Sequence, residues 1–463
     1  MENASLAQAR TAPAARSRVW LLLGLSLGYF LVLLDTTIVS VALPALRDDL
    51  GGGLSGLQWV ANAYTIVFAG LLLTGGGLAD RLGAKRVFMS GLILFLAASA
   101  LSAAAPTLGA LIGLRALLGV GGAALVPSSM ALIAHAYADP AQRTRALGVC
   151  ASISGIALAA GPVVGGILVD TLGWRSIFLI NVPIGLFSLA ATAFLVTETR
   201  RKQRQGFDLG GQITAIAAIG CLSYALVEGG SAGWSSVPVV IAFCAAALSI
   251  AGFLLAEAKS RSPLLPLSLF RIPTLSAGMA AGMLANIALS GILFLLPLFF
   301  QQTRGLSAHA SGLALLPLTL PMTINPIFTG RLASRIGPRI PLTAGFVLAA
   351  AGTLIEAAVG PATPYAVTLI ALLLIGCGMS LVLPPLMASV ISSVPREQSG
   401  TASGALNSSR QLGAALGVAI LGAIVSGGSF IGGLHLALAV AGILLFCGSA
   451  VSFAWIGRKR RSS

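Results

Sequence analysis

The chain has 463 residues, 57% of them hydrophobic and only 9% charged, with a formal net charge of +15. A water-soluble domain carries roughly a quarter charged residues, so these few charges cannot coat a soluble surface, and a soluble multidomain protein is excluded. A mean hydropathy of +0.96 and 56 glycines suit helices packed closely in lipid, where small residues let backbones approach.

A helix needs about 20 apolar residues to cross the hydrocarbon core, and fourteen runs of that kind are expected to span it. The first, Val19–Leu43, is too long for the apolar core of a signal peptide and lacks a small-residue cleavage site, so it reads as a retained span. It holds Leu34-Asp35-Thr36-Thr37, followed by Val41-Ala42-Leu43-Pro44. Leu57–Leu78 carries Trp59, Asn62 and Tyr64, which either line a cavity or pack at helical spacing. The link that follows, Gly76 to Arg86, contains Asp80, Arg81, Gly83 and Lys85 and leads into Val87–Ala104. Leu108–Ala134 holds Arg115 and then Gly119-Val120-Gly121-Gly122-Ala123. Leu147–Val169 holds Gly148 and Gly161-Pro162-Val163-Val164-Gly165-Gly166. Trp174-Arg175 opens the sixth run, Ser176–Val196, with Asn181, Pro183 and Gly185 inside it. Leu209–Glu228 and Val237–Ala256 come next, then Leu275–Phe300 with Asn286, His309–Gly330, Ile340–Ala358 and Tyr365–Val390. Ala402–Val425 with Arg410 and Leu434–Trp455 complete the set. Cys150, Cys221, Cys244, Cys377 and Cys447 all fall in apolar runs without CxxC spacing, and read as small core hydrophobes rather than disulfides or zinc ligands.

The basic residues alternate along the chain. Arg10, Arg16, Arg18, Arg81, Lys85, Arg86, Arg143, Arg145, Arg200, Arg201, Lys202 and Arg204 fall on one side. So do Lys259, Arg261, Arg271, Arg331, Arg335, Arg339, Arg396, Arg458, Lys459, Arg460 and Arg461, making twenty-three. Only Arg47, Arg175 and Arg304 occupy the opposite loops. The positive-inside rule then predicts both termini in the cytoplasm and an even number of spans. The net charge is an orientation signal, not a nucleic-acid footprint.

An internal repeat divides the chain. Gly76-Gly77-Leu78-Ala79-Asp80-Arg81-Leu82-Gly83-Ala84-Lys85 returns 254 residues later as Gly330-Arg331-Leu332-Ala333-Ser334-Arg335-Ile336-Gly337-Pro338-Arg339. Gly119, Gly121, Pro127 and Met130 return, 257 residues later, as Gly376, Gly378, Pro384 and Met387. The expected organisation is a cytoplasmic tail at 1–18, a six-helix half at 19–200, two linker helices at 201–272, a second six-helix half at 273–457 and a tail at 458–463. Parallel repeats of this sort are expected of transporters that rock around a central site.

These segments together resemble the 14-span drug:proton antiporter branch of the major facilitator superfamily over nearly the whole chain. Gly76 to Arg86 is similar to the superfamily's cytoplasmic loop signature. Leu34 to Thr37 with Val41 to Pro44 resembles the first-span signature of the drug antiporters. Arg115 with Gly119 to Ala123 resembles the fourth-span motif associated with proton transfer, and Gly148 with Gly161 to Gly166 the fifth-span antiporter motif. Trp174 to Gly185 is similar to the stretch characteristic of the 14-span branch. Leu118 stands where the fourth-span motif usually has Gln, Ala157 where the fifth usually has Gly, and the connection from Ser426 to Gly433 is short. The resemblance implies an all-α major facilitator fold with two extra helices and efflux of drugs, antibiotics or other amphipathic organic compounds from the cell's inner membrane. It also implies a proton gradient in place of any cofactor, and Asp80 as a latch between the halves in the outward-facing state; Ser334 has no matching charge.

Asp35 and Arg115 emerge as clearly intramembrane charges, and such groups are costly enough to imply function and a partner. Counted from the expected outer span ends, Asp35 lies roughly 12 Å deep and Arg115 roughly 10 Å. The pair either moves the coupling proton, with Arg115 setting the affinity of Asp35, or is a static ion pair holding helices together. Lys85 and Arg86 are either anchors at the membrane surface or part of the latch. Gly148, Gly161, Pro162, Gly165 and Gly166 read as packing and hinge positions against the opposite half. Arg410 either snorkels or pairs across the half interface, and Glu228, Glu257 and Glu356 are expected near span ends and wetted.

His135, His309 and His435 are scattered, with no HExxH and no nucleophile cluster, which disfavours an intramembrane enzyme or a metal site. No Walker A sequence is present, so ATP is not expected as the energy source. A nutrient uniporter or symporter, or a channel, remains as an alternative. The cargo is expected to be a lipophilic neutral or monocationic compound, a drug or an endogenous metabolite, handled by a monomer in the lipid bilayer with no nucleic acid.

Overall fold

The computed structural model describes residues 15–137, 139–199, 208–260, 263, 265–395, 398–427 and 429–456. Expectations for Arg10, the basic run at 200–204, Arg261, Arg396 and the final tail lie outside them. The helices are α1 Ala15–Leu50, α2 Leu54–Leu82, α3 Ala84–Ala103, α4 Leu108–Ala136, α5 Pro140–Leu172, α6 Ser176–Leu179 and α7 Asn181–Leu195. They continue as α8 Leu209–Ala232, α9 Val237–Lys259, α10 Pro273–Leu298, α11 Ala308–Ala314, α12 Leu316–Ile324 and α13 Pro326–Ile336. The last four are α14 Arg339–Glu356, α15 Tyr365–Ser392, α16 Ser399–Ser426 and α17 Phe430–Trp455.

Thirteen helical stretches among the described residues are long and apolar enough to cross a membrane. The expected tenth span, His309–Gly330, is instead three short helices, α11 to α13. Its sequence explains the break: Pro317, Pro321 and Pro326 each lack an N–H and crowd the carbonyl four residues back. The expected sixth span is interrupted only at Ile180, between α6 and α7. The ninth ends in a π turn, Phe299–Thr303, just after Pro297, with Arg304 N–H reaching Phe299 O at 3.1 Å. Several basic residues expected in loops lie in terminal helical turns, Arg47 in α1, Arg81 in α2 and Arg335 in α13. Cys244 and Cys447 point out of the protein, so the core reading holds for Cys150 but not for them. An apolar side chain on the outside costs nothing where the surroundings are lipid.

Helices α1–α7 form one bundle and α10–α17 a second, and the packing of the first is repeated in the second. α1 packs on α5 and α7 as α10 packs on α16 and α17; α3 packs on α4 and α7 as α14 packs on α15 and α17. The repeat reaches single atoms. Gly119 lies against Tyr64 O and Gly376 against Leu318 O; Gly121 lies against Gly91 O and Gly378 against Gly345 O. Gly83 and Gly337, equivalent in the two halves, both take positive φ, +100° and +83°, to turn one helix into the next. The architecture is therefore two bundles of repeated packing plus the extra hairpin α8–α9, in which α8 lies against α2 and α16.

The end bearing Gly83 is the basic end. Between the bundles, α5 touches α11 and α12, α2 touches α16, and α1 touches α10 and α11. The α5 contacts run from the opposite end inward. The Asp170 carboxylate accepts from Ala308 N (3.2 Å) and His309 N (2.8 Å), capping α11, and Thr323 Oγ1 donates to Gly155 O at 2.7 Å. Gln301 Nε2 donates to Val41 O at 2.9 Å. Nearer the basic end, Gly148, Val149 and Ser152 of α5 and Phe328, Leu332 and Ile336 of α13 are exposed. The state described is closed at the opposite end.

Asp170→Ala removes the cap that joins the bundles there, and should cost about 1 kcal/mol of α11 order. The expected readout is faster maleimide labelling of an Ala308→Cys reporter than in the Asp170 parent.

Candidate functional site

The guanidinium of Arg115 meets the carboxylate of Asp35 through Nη1 and Oδ2, and the two residues are 1% and 0% exposed. α1 runs seven residues beyond the expected Leu43, so Asp35 is fifteen residues from its end while Arg115 is only seven into α4. The matching depths counted from span ends were therefore a poor measure; the pair meets because α1 projects past α4 with a charged tip of Arg47, Asp48 and Asp49. Arg115 is held mainly by α2. Its Nε donates to Val60 O at 3.0 Å and its plane lies 4.7 Å from the Tyr64 ring centre. Tyr64 in turn donates to Val32 O of α1 at 3.2 Å. Asp35 Oδ1 has no hydrogen-bond partner. One carboxylate oxygen is thus neutralised, and the other is a buried acceptor without a donor.

Leu118, standing where Gln was anticipated, is fully buried, and Ala157 O accepts from Thr37 Oγ1 at 3.4 Å. Of the fifth-span glycines, Gly161 and Gly165 lie against Thr37 and Ile38 of α1, within the first bundle. Gly166 meets the backbone at Ala308, and the Pro162 carbonyl meets Gly312, so these two do face the opposite bundle. A Cβ at Gly148 would meet nothing within 4 Å among the described residues, so no close packing requires a glycine there in this state.

At the basic end, Gly83 joins α2 to α3. A Cβ there would strike the Glu198 carboxyl, which accepts from Lys85 N (2.9 Å) and Arg86 N (3.2 Å). Arg86 Nε stands 3.8 Å from Glu198, and Lys85 Nζ donates to Ala193 O at 2.9 Å. Asp80 and Arg81 lie in the last turn of α2 rather than in a loop, Asp80 exposed and Arg81 half-buried.

The residues expected either to line a cavity or to pack fall in different places. Trp59 faces the extra hairpin, donating to Glu228 at 2.9 Å. Asn62 is fully buried with neither side-chain polar atom bonded, and Asn286 donates back to Gly282 O at 2.9 Å. Arg410 does not snorkel: its stem lies over Gly282 of α10, its Nη1 donates to Asn407 at 3.3 Å, and its charge is within electrostatic reach of Tyr29 of α1. Two acids expected to be wetted are buried. Glu257 is 4% exposed and accepts from Leu265 N at 3.0 Å; Glu356 is 1% exposed with neither oxygen bonded. Chain folded over the helix ends covers both, which counting spans cannot reveal.

Sequence reading passed over Gln58, Asp170, Gln301 and Glu198. Gln58 Nε2 donates to Val418 O (2.9 Å) and Ala419 O (3.1 Å), bridging α2 to α16. Asp170 did carry a signal, because an acid in the last turn opposes its own helix dipole and so suits the N-terminus of another helix.

A family model described as Major Facilitator Superfamily matches residues 25–418. The chain belongs to the major facilitator superfamily. It is 36% identical over 426 residues to the methylenomycin A resistance protein of Bacillus subtilis, covering 92% of this chain and 91% of that one. It is 34% identical to the multidrug resistance protein Stp of Mycobacterium tuberculosis, covering 89% of this chain and 76% of that one. It is also 34% identical to the tetracenomycin C resistance and export protein of Streptomyces glaucescens, covering 90% and 77%. These relatives are resistance and export proteins, and the chain is a multi-pass membrane transporter of small molecules, not an enzyme.

Breaking a buried ion pair by removing one partner costs about 3–5 kcal/mol. Arg115→Gln should therefore lower the melting temperature in detergent clearly, and Asp35→Asn/Arg115→Gln should regain much of the loss. A single variant as stable as the parent would show that the pair holds nothing together. Glu198→Ala should cost about 1 kcal/mol at the α3 cap, visible as faster hydrogen exchange at the Lys85 and Arg86 amides.

Proposed function

We propose that this transporter is a secondary active exporter, taking a proton in and moving an amphipathic organic compound, such as a drug or antibiotic, out. The observation that carries this reading is Asp35, buried, half neutralised by Arg115 and left with one bare oxygen. A proton would neutralise that oxygen without displacing a helix. Arg115 is anchored to α2 while Asp35 rides on α1, so a shift of α1 against α2 changes their separation. Opening the pair raises the cost of the bare carboxylate and favours protonation; closing it favours release. The relatives named for methylenomycin A, multidrug and tetracenomycin C resistance support the direction of transport and the class of cargo.

The remaining roles follow from this cycle. The two halves at 19–200 and 273–457 rock about the centre, with 201–272 as linker. Pro162 and Gly166 form the sliding surface against Gly312 and Ala308, Gly161 and Gly165 hold α5 to α1 behind it, and the Asp80, Arg81, Gly83, Lys85 and Arg86 turn latches the basic end in the other state. The basic end faces the cytoplasm, with both termini there, in the cell's inner membrane. The chain works as a monomer with the proton gradient as its energy source and no cofactor.

The test uses everted membrane vesicles and a panel of amphipathic compounds. Addition of a transported compound should release lumenal protons, and Asp35→Asn should reduce that exchange by more than about tenfold, the scale of a lost essential charge-assisted contact, while the variant still reaches the membrane. A solute that merely equilibrates, with no proton movement, would favour the facilitator reading instead.

A further inference from the structure

The export reading leaves the central charge balance unexplained. Asp35 is matched by Arg115, so that pair offers no net charge to a cargo. Arg410 is different. It lies eleven residues into α16, about 16 Å along the helix axis and close to mid-membrane. Tyr29, eleven residues past Arg18 in α1, lies at a comparable depth and within electrostatic reach of it. The ion pairs of the described residues join Arg86 to Glu198, Arg115 to Asp35 and Arg175 to Asp49, and no acid pairs with Arg410. Its one hydrogen bond is the 3.3 Å contact to Asn407, and its Nε is buried without a partner.

A guanidinium at this depth that lacks both a counter-charge and most of its acceptors is expensive. Snorkelling is closed to it, because the stem is fixed over Gly282 and the neighbouring Ser409 is bonded to Met279 O at 2.8 Å. Arg410, Asn407 and Tyr29 are nevertheless each partly exposed rather than sealed. Arg410 belongs to the second bundle and Tyr29 to the first, which places the charge where both bundles meet the cargo.

We infer that Arg410, with Tyr29 and Asn407 beside it, is an anion-recognition site, and that the exported compounds are lipophilic organic acids bearing a carboxylate. The carboxylate takes the open N–H groups of Arg410 in the two-pronged geometry that guanidinium favours. Tyr29 O–H and the Asn407 amide are the additional donors within the same group of side chains. This rests on the export reading for the direction of movement, and it replaces the neutral or cationic cargo expected from counting membrane acids alone.

The experiment measures equilibrium binding to the purified full chain in detergent, with pyrenebutyrate, its methyl ester and the matching pyrenebutyl trimethylammonium cation as fluorescent probes. The three share an apolar body and differ in charge. The parent protein should bind the carboxylate at least about tenfold more tightly than the ester or the cation, the scale of one charged hydrogen bond. Arg410→Gln should erase that preference while leaving ester affinity unchanged, and Arg410→Lys should keep part of it. Melting temperature and elution profile separate a binding defect from misfolding, and Arg410→Lys supplies the folded comparison if Arg410→Gln is unstable. Equal binding of all three probes by the parent, or a carboxylate preference that survives in folded Arg410→Gln, overturns the inference. Binding needs no proton gradient, so proton exchange without carboxylate preference sinks this inference alone, and carboxylate preference without proton exchange sinks only the export reading.

Discussion

A charge inside a low-dielectric bundle must be matched where it stands, and the first half of this protein is arranged around one such match. Arg115 comes from α4, its acceptor Asp35 from α1, and the backbone and ring that hold it from α2. Three helices are thereby fixed at one level by a single guanidinium. Glycine lets them come close enough: Gly119 sits on the Tyr64 carbonyl, Gly122 under the Tyr64 ring, and Gly161 on Thr37. Any side chain at Gly119 or Gly161 would push apart the helices the ion pair draws together, so packing and electrostatics constrain the same region.

The contacts between the bundles are of another kind. They are backbone contacts at glycine, such as Gly166 with Ala308 and Gly312 with Pro162, joined by a few hydrogen bonds: Asp170 accepts from Ala308 N and His309 N, Gln58 donates to Val418 O and Ala419 O, and Gln301 and Thr323 each donate to one backbone carbonyl. A surface of small residues with few bonds is close-packed when shut and loses little when parted. Within each bundle, by contrast, long apolar faces are buried along whole helices. This difference in adhesion between and within bundles lets a transporter open at its middle without coming apart.

Much of this was legible in the chain because membrane helices announce themselves by length, and repeats by offset. Gly91 with Gly121 and Gly345 with Gly378 reproduce in space the offsets of 254 and 257 found in the sequence. The partnership of Asp35 with Arg115 was legible because two isolated charges in lipid have few choices. The interruption at α11–α13 was written in three prolines, but the same residues also satisfy an apolar count, and the count was followed. Glu257 and Glu356 were misjudged for a common reason: distance from a span end does not say whether neighbouring chain covers the position. Gln58 and Glu198 were invisible, since a lone polar residue acquires meaning only from the backbone it meets.

The hairpin α8–α9 begins and ends at the basic end, so it reverses the direction of nothing that follows. It is fastened to α2 by Trp59 with Glu228 and by Gln212 with Thr74 and Gly70, and Gly230 lies directly on Ala423 of α16. The two bundles adjoin along two lateral seams, α2 beside α16 and α5 beside α11 and α12. The hairpin shutters the first from the surrounding lipid and leaves the second bare. A solute dissolved in the bilayer thus meets a molecule with one open flank and one closed, although its two halves are near copies of each other.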